Sequence, residues 1–388
     1  MHIVFFTHPP FLGSQSMPRF ANMLAEGMQE RGHEVEVWTA KPKFYDFKVP
    51  AGLKKWMGYI DQYIVFPADV KKRLKEQNSN TLFVFADQAL GPWIPLVANR
   101  PHVIHCHDFL AQRSANGDIA ENPTSASGKK YQAYIRQGYQ KGKNFISVSN
   151  KTREDLSQFL TTAPRLSEVV YNGLNTAFKP LDVTECREAI GTAIKADLSN
   201  GYILHVGGNQ WYKNRVGVIH LYNAWRDKYG TNIPLIMIGA KASAKLADQY
   251  NASLYKNDIY LLSGKDDLFV RQAYSGAAVF LFPSLAEGFG WPIAEAMAAG
   301  CPVITTGEAP MTEVGGDAAY YIPRRPSNGE GATWADGAAS TLNKVLNISA
   351  VERNAVLEAG YKNIYRFSLK DAIQQIETIY KKVNNQSF

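Results

Sequence analysis

Cysteine is scarce in this sequence. Only three cysteines occur in 388 residues, and they lie in unrelated places, at Cys106, Cys186 and Cys301. Three scattered thiols cannot build the disulfide framework of a small secreted domain, and they lack the spacing of a cysteine metal cluster. The low count is typical of a protein in a reducing compartment, so we expect a cytoplasmic location.

Long apolar runs are also lacking. The longest ones have the length of a β-strand, far below the roughly 20 residues of a membrane-spanning helix, so no span is expected. The opening residues, MHIVFFTHPP, have no basic segment before a short apolar run, which argues against a signal peptide. What the chain does have is 45% hydrophobic residues, enough for the cores of two domains of ordinary size.

The excess of positive charge is confined to the first half of the chain. Residues 1–180 hold 22 Lys and Arg against 15 Asp and Glu, whereas residues 181–388 hold 20 of each sign. The densest basic stretch, 52–77, interleaves its lysines with aromatic residues, which are Trp56, Tyr59, Tyr63 and Phe66. Two interpretations stay open: a surface for an anionic membrane or an acidic acceptor, and a pair of amphipathic helices with a solvated basic face. No nucleic-acid reader motif is present, so nucleic acid is not an expected partner.

Strand-like segments alternate with helical ones along the whole chain. The first half contains HIVFFT, EVEVWTA, TLFVFA, HVIHCH and NFISVS, and the second half contains YILHVGG, LIMIGA, IYLLSG, AVFLFPS and PVITT. Alternation of this kind predicts parallel sheets with helices on both faces. The predicted fold class is therefore α/β, with two facing doubly wound, Rossmann-like sheets and a ligand cleft between them.

The break between the two halves falls at 172–185, where asparagine, glycine and proline collect in NGLNTAFKPLDVTE. We predict an amino-terminal domain over 1–177 and a carboxy-terminal domain over 178–365. The final segment, 366–388, carries apolar residues three to four positions apart and is predicted to be a helix.

The stretch PSLAEGFGWPIAEAMAAGCPVITT, residues 283–306, places acids on both sides of a glycine turn. Pro292 suits the first turn of a helix, so the loop Gly288–Gly290 leads into a helix N-terminus, which attracts anions and phosphate above all. Glu287 lies in the loop, and Glu295 lies about one turn inside the helix. A polyol with a phosphate attached would need both amides for the phosphate and carboxylates for the hydroxyls, and a nucleotide-sugar is one such molecule. The alternative is an acid before a turn and a solvated helix glutamate.

Five segments of the chain resemble motifs of the retaining GT-B glycosyltransferases of family four, and they occur in the right order along the sequence. The resemblance covers nearly the whole chain. The strongest is EGFGWPIAE (287–295), which matches the Glu-x7-Glu motif of that family, with Trp291 where leucine is usual. The others are LGSQSMPRFANMLAEGMQERGHEVEVWT, SVSNKTREDL, NGLNTAFKP and HVGGNQWYKN. The resemblance implies a GT-B fold whose last helix crosses back to the first domain. It also implies transfer of a sugar from a UDP-, GDP- or other nucleotide-sugar to a hydroxyl acceptor, in surface polysaccharide or glycolipid synthesis.

The resemblance also implies roles for the residues at the matching motif positions. Glu287 would contact hydroxyls at the reacting end of the donor sugar, Glu295 would hold the ribose, and Lys213 would neutralise the departing diphosphate. His107 would lie beside the transferred sugar. The further donor-binding residues implied by the match are Gly13, Ser14, Gly207, Asn214, Arg215, Leu262, Gly288, Phe289 and Gly290.

The chain has no Asp-x-Asp motif, which many transferases use to hold a metal. We therefore predict a metal-independent reaction without a cofactor, in which Lys213 and the helix N-terminus stabilise the growing phosphate charge. His105 and His107 share one face of a predicted strand, but no third ligand is near, so no metal site is predicted. The resemblance favours front-side attack assisted by the leaving phosphate, and no nucleophile is assigned.

Two other functions stay open, a catalytically silent GT-B partner subunit and a GT-B sugar-nucleotide epimerase. The first is favoured by Tyr212, since the resembling family commonly has arginine before the lysine; Arg215 is the residue that would supply the missing charge. The expected partners are a nucleotide-sugar donor and a saccharide or lipid-linked acceptor. The basic first half leaves open a peripheral position at the inner face of the membrane.

Overall fold

In a computed structural model, residues 1–13, 16–327 and 331–385 are described, and Ser14 falls outside them. The chain forms two compact units. Unit 1 comprises residues 1–119, 123–172 and 370–388, and unit 2 comprises 120–122 and 173–369. Each unit contains one six-stranded sheet, and every strand pairing in both sheets is parallel. The predicted fold class, two doubly wound parallel α/β sheets, is confirmed.

The sheet of unit 1 has the order β2-β1-β3-β4-β5-β6. Its strands are β1 (His2–Phe6), β2 (Glu34–Trp38), β3 (Leu82–Phe85), β4 (His102–Cys106), β5 (Asn144–Ser147) and β6 (Leu166–Val169). The central strands β3, β4 and β5 are buried along their whole length. That burial explains their continuous apolar runs, because helices cover both faces of a parallel sheet.

The sheet of unit 2 has the order β12-β11-β10-β7-β8-β9. Its strands are β7 (Ile203–Val206), β8 (Leu235–Gly239), β9 (Ile259–Ser263), β10 (Val279–Phe282), β11 (Val303–Thr306) and β12 (Ala319–Ile322). If β7 to β12 are renumbered 1 to 6 and the sheet is read from its β9 edge, the strand order is 3-2-1-4-5-6. This is the strand order of dinucleotide-binding sheets.

Helices fill the intervals between strands. They are α1 (Ser16–Gln29), α2 (Ala51–Ile60), α3 (Phe66–Arg73), α4 (Leu110–Asn116), α5 (Ala126–Tyr139), α6 (Asn150–Phe159), α7 (Val183–Ile194), α8 (Arg215–Tyr229), α9 (Ala244–Ala252), α10 (Asp267–Gly276), α11 (Trp291–Ala298), α12 (Met311–Gly315), α13 (Gly331–Leu346), α14 (Ala350–Ile364) and α15 (Leu369–Asn384). A short π-helix, Asp61–Val65, joins α2 to α3, so the basic stretch of the sequence is one continuous helical rod.

The last helix, α15, packs in unit 1 although most of the chain before it belongs to unit 2. The side chain of Ile373 lies against Gly27 of α1, where an added Cβ would come within 3.0 Å of it. The Tyr380 hydroxyl and His105 Nε2 of β4 share a buried hydrogen bond of 2.7 Å. His105 is therefore a packed, hydrogen-bonded histidine of the unit 1 core.

Candidate functional site

The order of the unit 2 sheet fixes where a ligand binds. The chain leaves the neighbouring strands β7 and β10 toward opposite sides of the sheet, which makes this pair a topological switch point. In open parallel sheets, ligands bind beyond the carboxyl ends of the strands at such a point. The two segments that flank it are 207–214, after β7, and 283–290, after β10. They contain most of the residues predicted to bind the donor.

Lys213 and Glu287 meet at this switch point. A short 3₁₀ turn, Trp211–Lys213, presents the lysine, and its Nζ lies 2.8 Å from Oε1 and 3.0 Å from Oε2 of Glu287. The side chains are only 14% and 8% exposed, so the pair is largely screened from solvent. The Ser284 hydroxyl donates to Glu287 Oε1 at 2.6 Å. The carboxylate is thus held by two partners, and the ammonium is fixed beside it.

Backbone groups tie the two segments together around this pair. Leu285 N donates to the carbonyl oxygen of Tyr212 at 2.7 Å, and the Ser284 hydroxyl lies 2.8 Å from the same oxygen. Asn214, with a left-handed φ of 52°, donates from Nδ2 to the carbonyl oxygen of Pro283 at 2.9 Å. Since residue 212 takes part in the bond from Leu285 N through its backbone carbonyl, that bond does not depend on which side chain stands there.

Helix α11 begins directly after the glycine loop. Gly290 precedes the first helical residue with φ 108°, a conformation that side chains with a Cβ rarely adopt, and Pro292 lies in the first turn. Phe289 is buried, and its ring contacts Trp291 and Phe367, with centroids 5.6 Å and 5.5 Å away. The loop 288–290 is therefore anchored by an aromatic side chain. The helix N-terminus, with its partial positive charge, follows this anchored loop.

Glu295 lies within the second turn of α11 and is linked to helix α10. The Tyr274 hydroxyl donates to Glu295 Oε2 at 3.1 Å. Burial raises the pKa of Glu295 to about 7, although the Tyr274 hydrogen bond and the charge of Lys213 act in the opposite direction.

Two further predicted residues of unit 2, Gly207 and Arg215, have structural contacts of different kinds. An added Cβ at Gly207 would lie 3.0 Å from His205 Nε2, which is a tight contact, and 3.5 Å from Lys213 Cβ, so the backbone of Gly207 packs closely beside both side chains. Arg215 is buried, and its Nη1 donates to Asn209 Oδ1 at 2.6 Å and to the Ala240 carbonyl at 2.9 Å. Its guanidinium is thus engaged in holding two loops together.

Leu262 lies near the end of β9, the edge strand two strands from β7, and is half-buried. Its backbone is at the same carboxyl edge of the sheet as the Lys213–Glu287 pair. That location is compatible with the predicted contact between this strand and the donor base.

Unit 1 has its own switch point, between β1 and β3. Directly after these strands, His8 Nε2 donates to Asp87 Oδ2 at 2.9 Å, and Asp87 Oδ1 accepts from Ala89 N at 2.9 Å. Burial would raise the pKa of Asp87, but the hydrogen bond and charge of His8 hold it below its ordinary value. A carboxylate therefore orients an imidazole at the place where the fold directs ligands.

His107 follows β4 in the same unit. Its Nε2 donates to the Ala86 carbonyl at 2.8 Å, which leaves Nδ1 as the acceptor nitrogen, and its backbone N donates to Gln88 Oε1 at 3.0 Å. Phe20 of α1 contacts the ring edge-on, with centroids 4.5 Å apart. Burial lowers the pKa of His107, so the ring is held neutral in a fixed orientation.

Gly13 ends a short 3₁₀ turn, Pro10–Leu12, with φ 73°. Among the described residues, its chain neighbours apart, no atom lies within 4 Å of where its Cβ would be. The structure brings Gly207, Lys213, Asn214 and Glu287 together in unit 2, and Gly13 and His107 belong to unit 1.

Four polar side chains at these sites were not predicted from the sequence: His8, Asp87, Ser284 and Tyr274. His8 and Asp87 could have been found, because each comes directly after a predicted strand of unit 1. The contacts of Ser284 and Tyr274 depend on loop and helix packing and had no sequence signal.

Two features are absent from residues 1–13, 16–327 and 331–385. No three His, Cys, Asp or Glu side chains gather there in a way that could hold a metal ion. In the same ranges, no helix has both the length and the apolar character needed to cross a bilayer.

Two family models match the chain, one to each half. The model described as glycosyl transferases group 1 matches residues 200–337, and the model described as glycosyltransferase family 4 matches residues 17–178. The O-antigen chain mannosyltransferase B of Escherichia coli is 25% identical over 187 residues, 47% of this chain and 48% of its own length. An O-antigen chain mannosyltransferase of Salmonella typhimurium is 25% identical over 202 residues, 52% of each chain. The chain thus spans about half the length of these two relatives.

Solved structures show the same fold over nearly the whole chain. HepE of Anabaena in complex with UDP and glucose has a TM-score of 0.71 at 16% identity, covering 98% of this chain and 99% of that one. Sucrose-phosphate synthase from Thermosynechococcus elongatus has a TM-score of 0.73 at 14% identity, covering 99% of both chains. These neighbours support the GT-B fold predicted from the sequence.

Proposed function

The chain belongs to the group 1 glycosyltransferases, and we propose that it moves a sugar from a nucleoside-diphosphate sugar to a hydroxyl acceptor in surface polysaccharide or glycolipid synthesis. The observation that carries the proposal is the Lys213–Glu287 pair at the switch point of unit 2, beside the N-terminus of α11. This arrangement offers a cation and helix dipole for a diphosphate and a carboxylate for sugar hydroxyls.

The donor diphosphate would bind between Lys213 and the start of α11. Negative charge grows on the phosphate as the glycosidic bond breaks, and preorganised positive groups at that position lower the barrier. Lys213 is preorganised because Glu287 and the 3₁₀ turn hold it before the donor arrives. Glu295, about one turn further along α11, would accept hydrogen bonds from the ribose hydroxyls.

We propose that the reaction retains the anomeric configuration. Both Glu287 oxygens lie within hydrogen-bond distance of Lys213, and one of them also accepts from Ser284. A carboxylate held in this way is suited to binding hydroxyls and is a poor nucleophile, so no covalent intermediate is assigned. The family resemblance favours front-side attack, in which the proton of the acceptor hydroxyl passes to the departing phosphate.

Unit 1 would receive the acceptor. His107 is neutral and fixed, and it would lie beside the transferred sugar, as the family resemblance implies. The His8–Asp87 pair lies at the switch point of the unit 1 sheet and would accept a hydrogen bond from a hydroxyl of the acceptor. The expected acceptor is a saccharide or a lipid-linked saccharide, with the enzyme at the cytoplasmic side of the membrane.

One experiment can identify the donor. The two relatives described above are mannosyltransferases, whereas the structural neighbour HepE was solved with UDP and with UDP-glucose. Incubating the purified chain with UDP- and GDP-sugars, including GDP-mannose and UDP-glucose, should reveal slow donor hydrolysis with the true donor. Release of nucleoside diphosphate and free sugar supports the transferase. Interconversion of the sugar would support an epimerase, and the absence of any turnover despite donor binding would support a silent subunit.

Activity is expected to survive chelation. The chain has no Asp-x-Asp, and Lys213 supplies positive charge where many transferases place a metal ion. Donor hydrolysis should therefore be unchanged, within about twofold, when excess EDTA is added, because the charge of Lys213 is covalently part of the chain. Loss of turnover in EDTA that manganese or magnesium restores would contradict metal independence.

Nucleoside diphosphate binding is expected to strengthen as pH rises through 7. Since burial raises the pKa of Glu295 to about 7, its carboxyl is mostly protonated at pH 6 and mostly ionised at pH 8. The ionised form is the better acceptor for ribose hydroxyls. Calorimetric titrations at pH 6 and 8 should show tighter binding at pH 8. Glu295→Gln separates this effect from the titration of the phosphate itself, because only the Glu295 contribution should disappear. An identical pH profile in parent and variant would contradict the assignment.

A further inference from the structure

Unit 1 carries exposed apolar side chains along the helical rod of α2 and the π-helix and on the segments packed beside it. We call this the interfacial patch, and its apolar members and their exposed fractions are Phe47 (53%), Leu53 (49%), Trp56 (60%), Ile64 (65%) and Tyr134 (44%). On the rod, Leu53, Trp56 and Ile64 recur at helical spacing, with the partly exposed Ile60 between the last two. The rod therefore buries only one face and presents apolar groups on the other.

Ring contacts make the patch continuous. Trp56 contacts Tyr59 with centroids 5.8 Å apart, Tyr59 contacts Tyr63 at 5.7 Å, and Tyr63 contacts Tyr134 of α5 at 5.5 Å. At the other end, Lys54 Nζ reaches the carbonyl oxygen of Phe47 at 3.5 Å. A row of aromatic side chains thus runs from Trp56 on α2 to Tyr134 on α5, and Lys54 links α2 to the loop before it.

Basic side chains surround these rings. Exposed lysines lie at positions 48, 55, 129 and 130, and the half-exposed Lys54 places its ammonium 4.5 Å from the centroid of the Tyr45 ring. Among residues 43–64 and 126–134, the acidic residues are Asp46 and Asp61, and Asp61 is buried. The patch is therefore apolar at its centre and strongly positive around it.

A buried carboxylate keeps the patch in shape. Asp61 is 1% exposed, and its oxygens accept from the backbone nitrogens of Lys43, Phe44 and Tyr45 at 2.8 to 3.0 Å. These bonds fix the loop that carries Phe47 against the helical rod. The apolar and basic groups are thus presented on a preformed surface.

We propose that the interfacial patch docks unit 1 onto an anionic lipid bilayer. Tryptophan and tyrosine prefer the boundary between headgroups and acyl chains, and lysines beside them are attracted to anionic headgroups. Amphipathic helices bind membranes in this way, with an apolar face in the boundary and a polar, basic face outside. The positive charge of the lysines favours an anionic bilayer over a protein partner or a second copy of the chain. Neither of these requires a ring of lysines around exposed aromatic residues.

This inference deepens the proposed function, since a docked enzyme would meet a lipid-linked acceptor at the surface where it lies. The test measures binding alone. The purified full chain is mixed with vesicles of equal phosphatidylglycerol and phosphatidylcholine, and with vesicles of phosphatidylcholine only, and is sedimented at 50 mM and 500 mM salt. We expect at least tenfold tighter binding to the anionic vesicles at low salt, with a loss at high salt because the attraction is screened.

Two variants and two matched controls identify the patch. The double variant Trp56→Ala/Leu53→Ser should bind about tenfold more weakly, because it removes apolar area. The double variant Lys54→Gln/Lys55→Gln should lose roughly fivefold or more and flatten the salt dependence. The controls make the same kinds of change in unit 2: Leu254→Ser, at a side chain that is 88% exposed, and Lys241→Gln/Lys256→Gln at exposed lysines. Each variant is melted to confirm that the fold is intact.

Equal binding to both vesicle types, or patch variants that bind as tightly as the controls, would overturn the proposal. So would a parent that fails to bind vesicles and instead forms a dimer that the patch variants abolish. Donor hydrolysis in solution is measured in parallel on every variant. If the parent binds anionic vesicles but hydrolyses no donor, the proposed function fails and the docking surface stands.

Discussion

Lys213→Ala is expected to weaken nucleoside diphosphate binding by about 1–3 kcal/mol, or roughly 5- to 150-fold, as the loss of a charge-assisted contact does. Turnover should fall further, because in the parent the lysine stabilises the negative charge that grows on the phosphate in the transition state. A second effect acts in the same direction. Without the ammonium, the Glu287 carboxylate, which is 8% exposed, remains as an uncompensated negative charge where the diphosphate binds.

Calorimetric titration with UDP and GDP, followed by donor-hydrolysis kinetics, measures both effects. The matched control is Lys256→Ala, which removes an exposed lysine that lies before β9, at the opposite edge of the same sheet, and should leave both quantities unchanged. If Lys213→Ala binds as tightly as the parent, Lys213 is not a phosphate ligand.

Glu287→Gln separates the two members of the pair. Glutamine keeps the shape and a hydrogen-bond acceptor but loses the charge, so we expect turnover to fall by about tenfold or more with little change in thermal stability. In the double variant with Lys213→Ala, the penalty for the uncompensated carboxylate disappears. The combined loss of diphosphate affinity should therefore be smaller than the sum of the single losses. Strict additivity would mean that the two side chains act on the donor independently.

The sequence predicted the elements of this site well where the signal is local. Pro292 and Gly290 are short-range signals, and α11 begins where they indicate. Strand patterns of continuous apolar residues also identified the buried strands of both sheets. The family resemblance then directed attention to Lys213 and Glu287 as members of one site.

Contacts between distant segments could not be read in the same way. Lys213 and Glu287 are 74 positions apart, and their approach depends on β7 and β10 being neighbours in the sheet. The His8–Asp87 pair depends likewise on the neighbouring strands β1 and β3. At position 212 the sequence drew attention to a side chain, because the arginine common in the family is missing. In the structure, the backbone carbonyl of Tyr212 accepts from Leu285 N and links the two segments of the site.

The carboxy-terminal helix is the element whose loss should cost the most stability. Four apolar side chains of α15 are at most 5% exposed within unit 1: Ile373, Ile376, Tyr380 and Val383. Glu377 is also nearly buried, and it accepts from His33 Nε2 at 2.9 Å, with Arg31 Nε at 3.5 Å. A helix attached by apolar packing and a buried carboxylate is part of the core of unit 1.

Ending the chain at Leu369 is therefore expected to destabilise unit 1 by at least about 4 kcal/mol, since burying each such apolar side chain is worth about 1.5–3 kcal/mol. That loss is a large part of the 5–15 kcal/mol by which domains are commonly stable. Urea denaturation should show an earlier transition, and hydrogen exchange should show that the amides of β1 and β4 lose protection while those of β7 and β10 keep theirs. Tyr380→Ala in the full-length chain is the milder version, and Tyr365→Ala, at a tyrosine that is 79% exposed, is its matched control. A chain ending at Leu369 that unfolds at the same urea concentration as the full-length protein would show that α15 is not part of the unit 1 core.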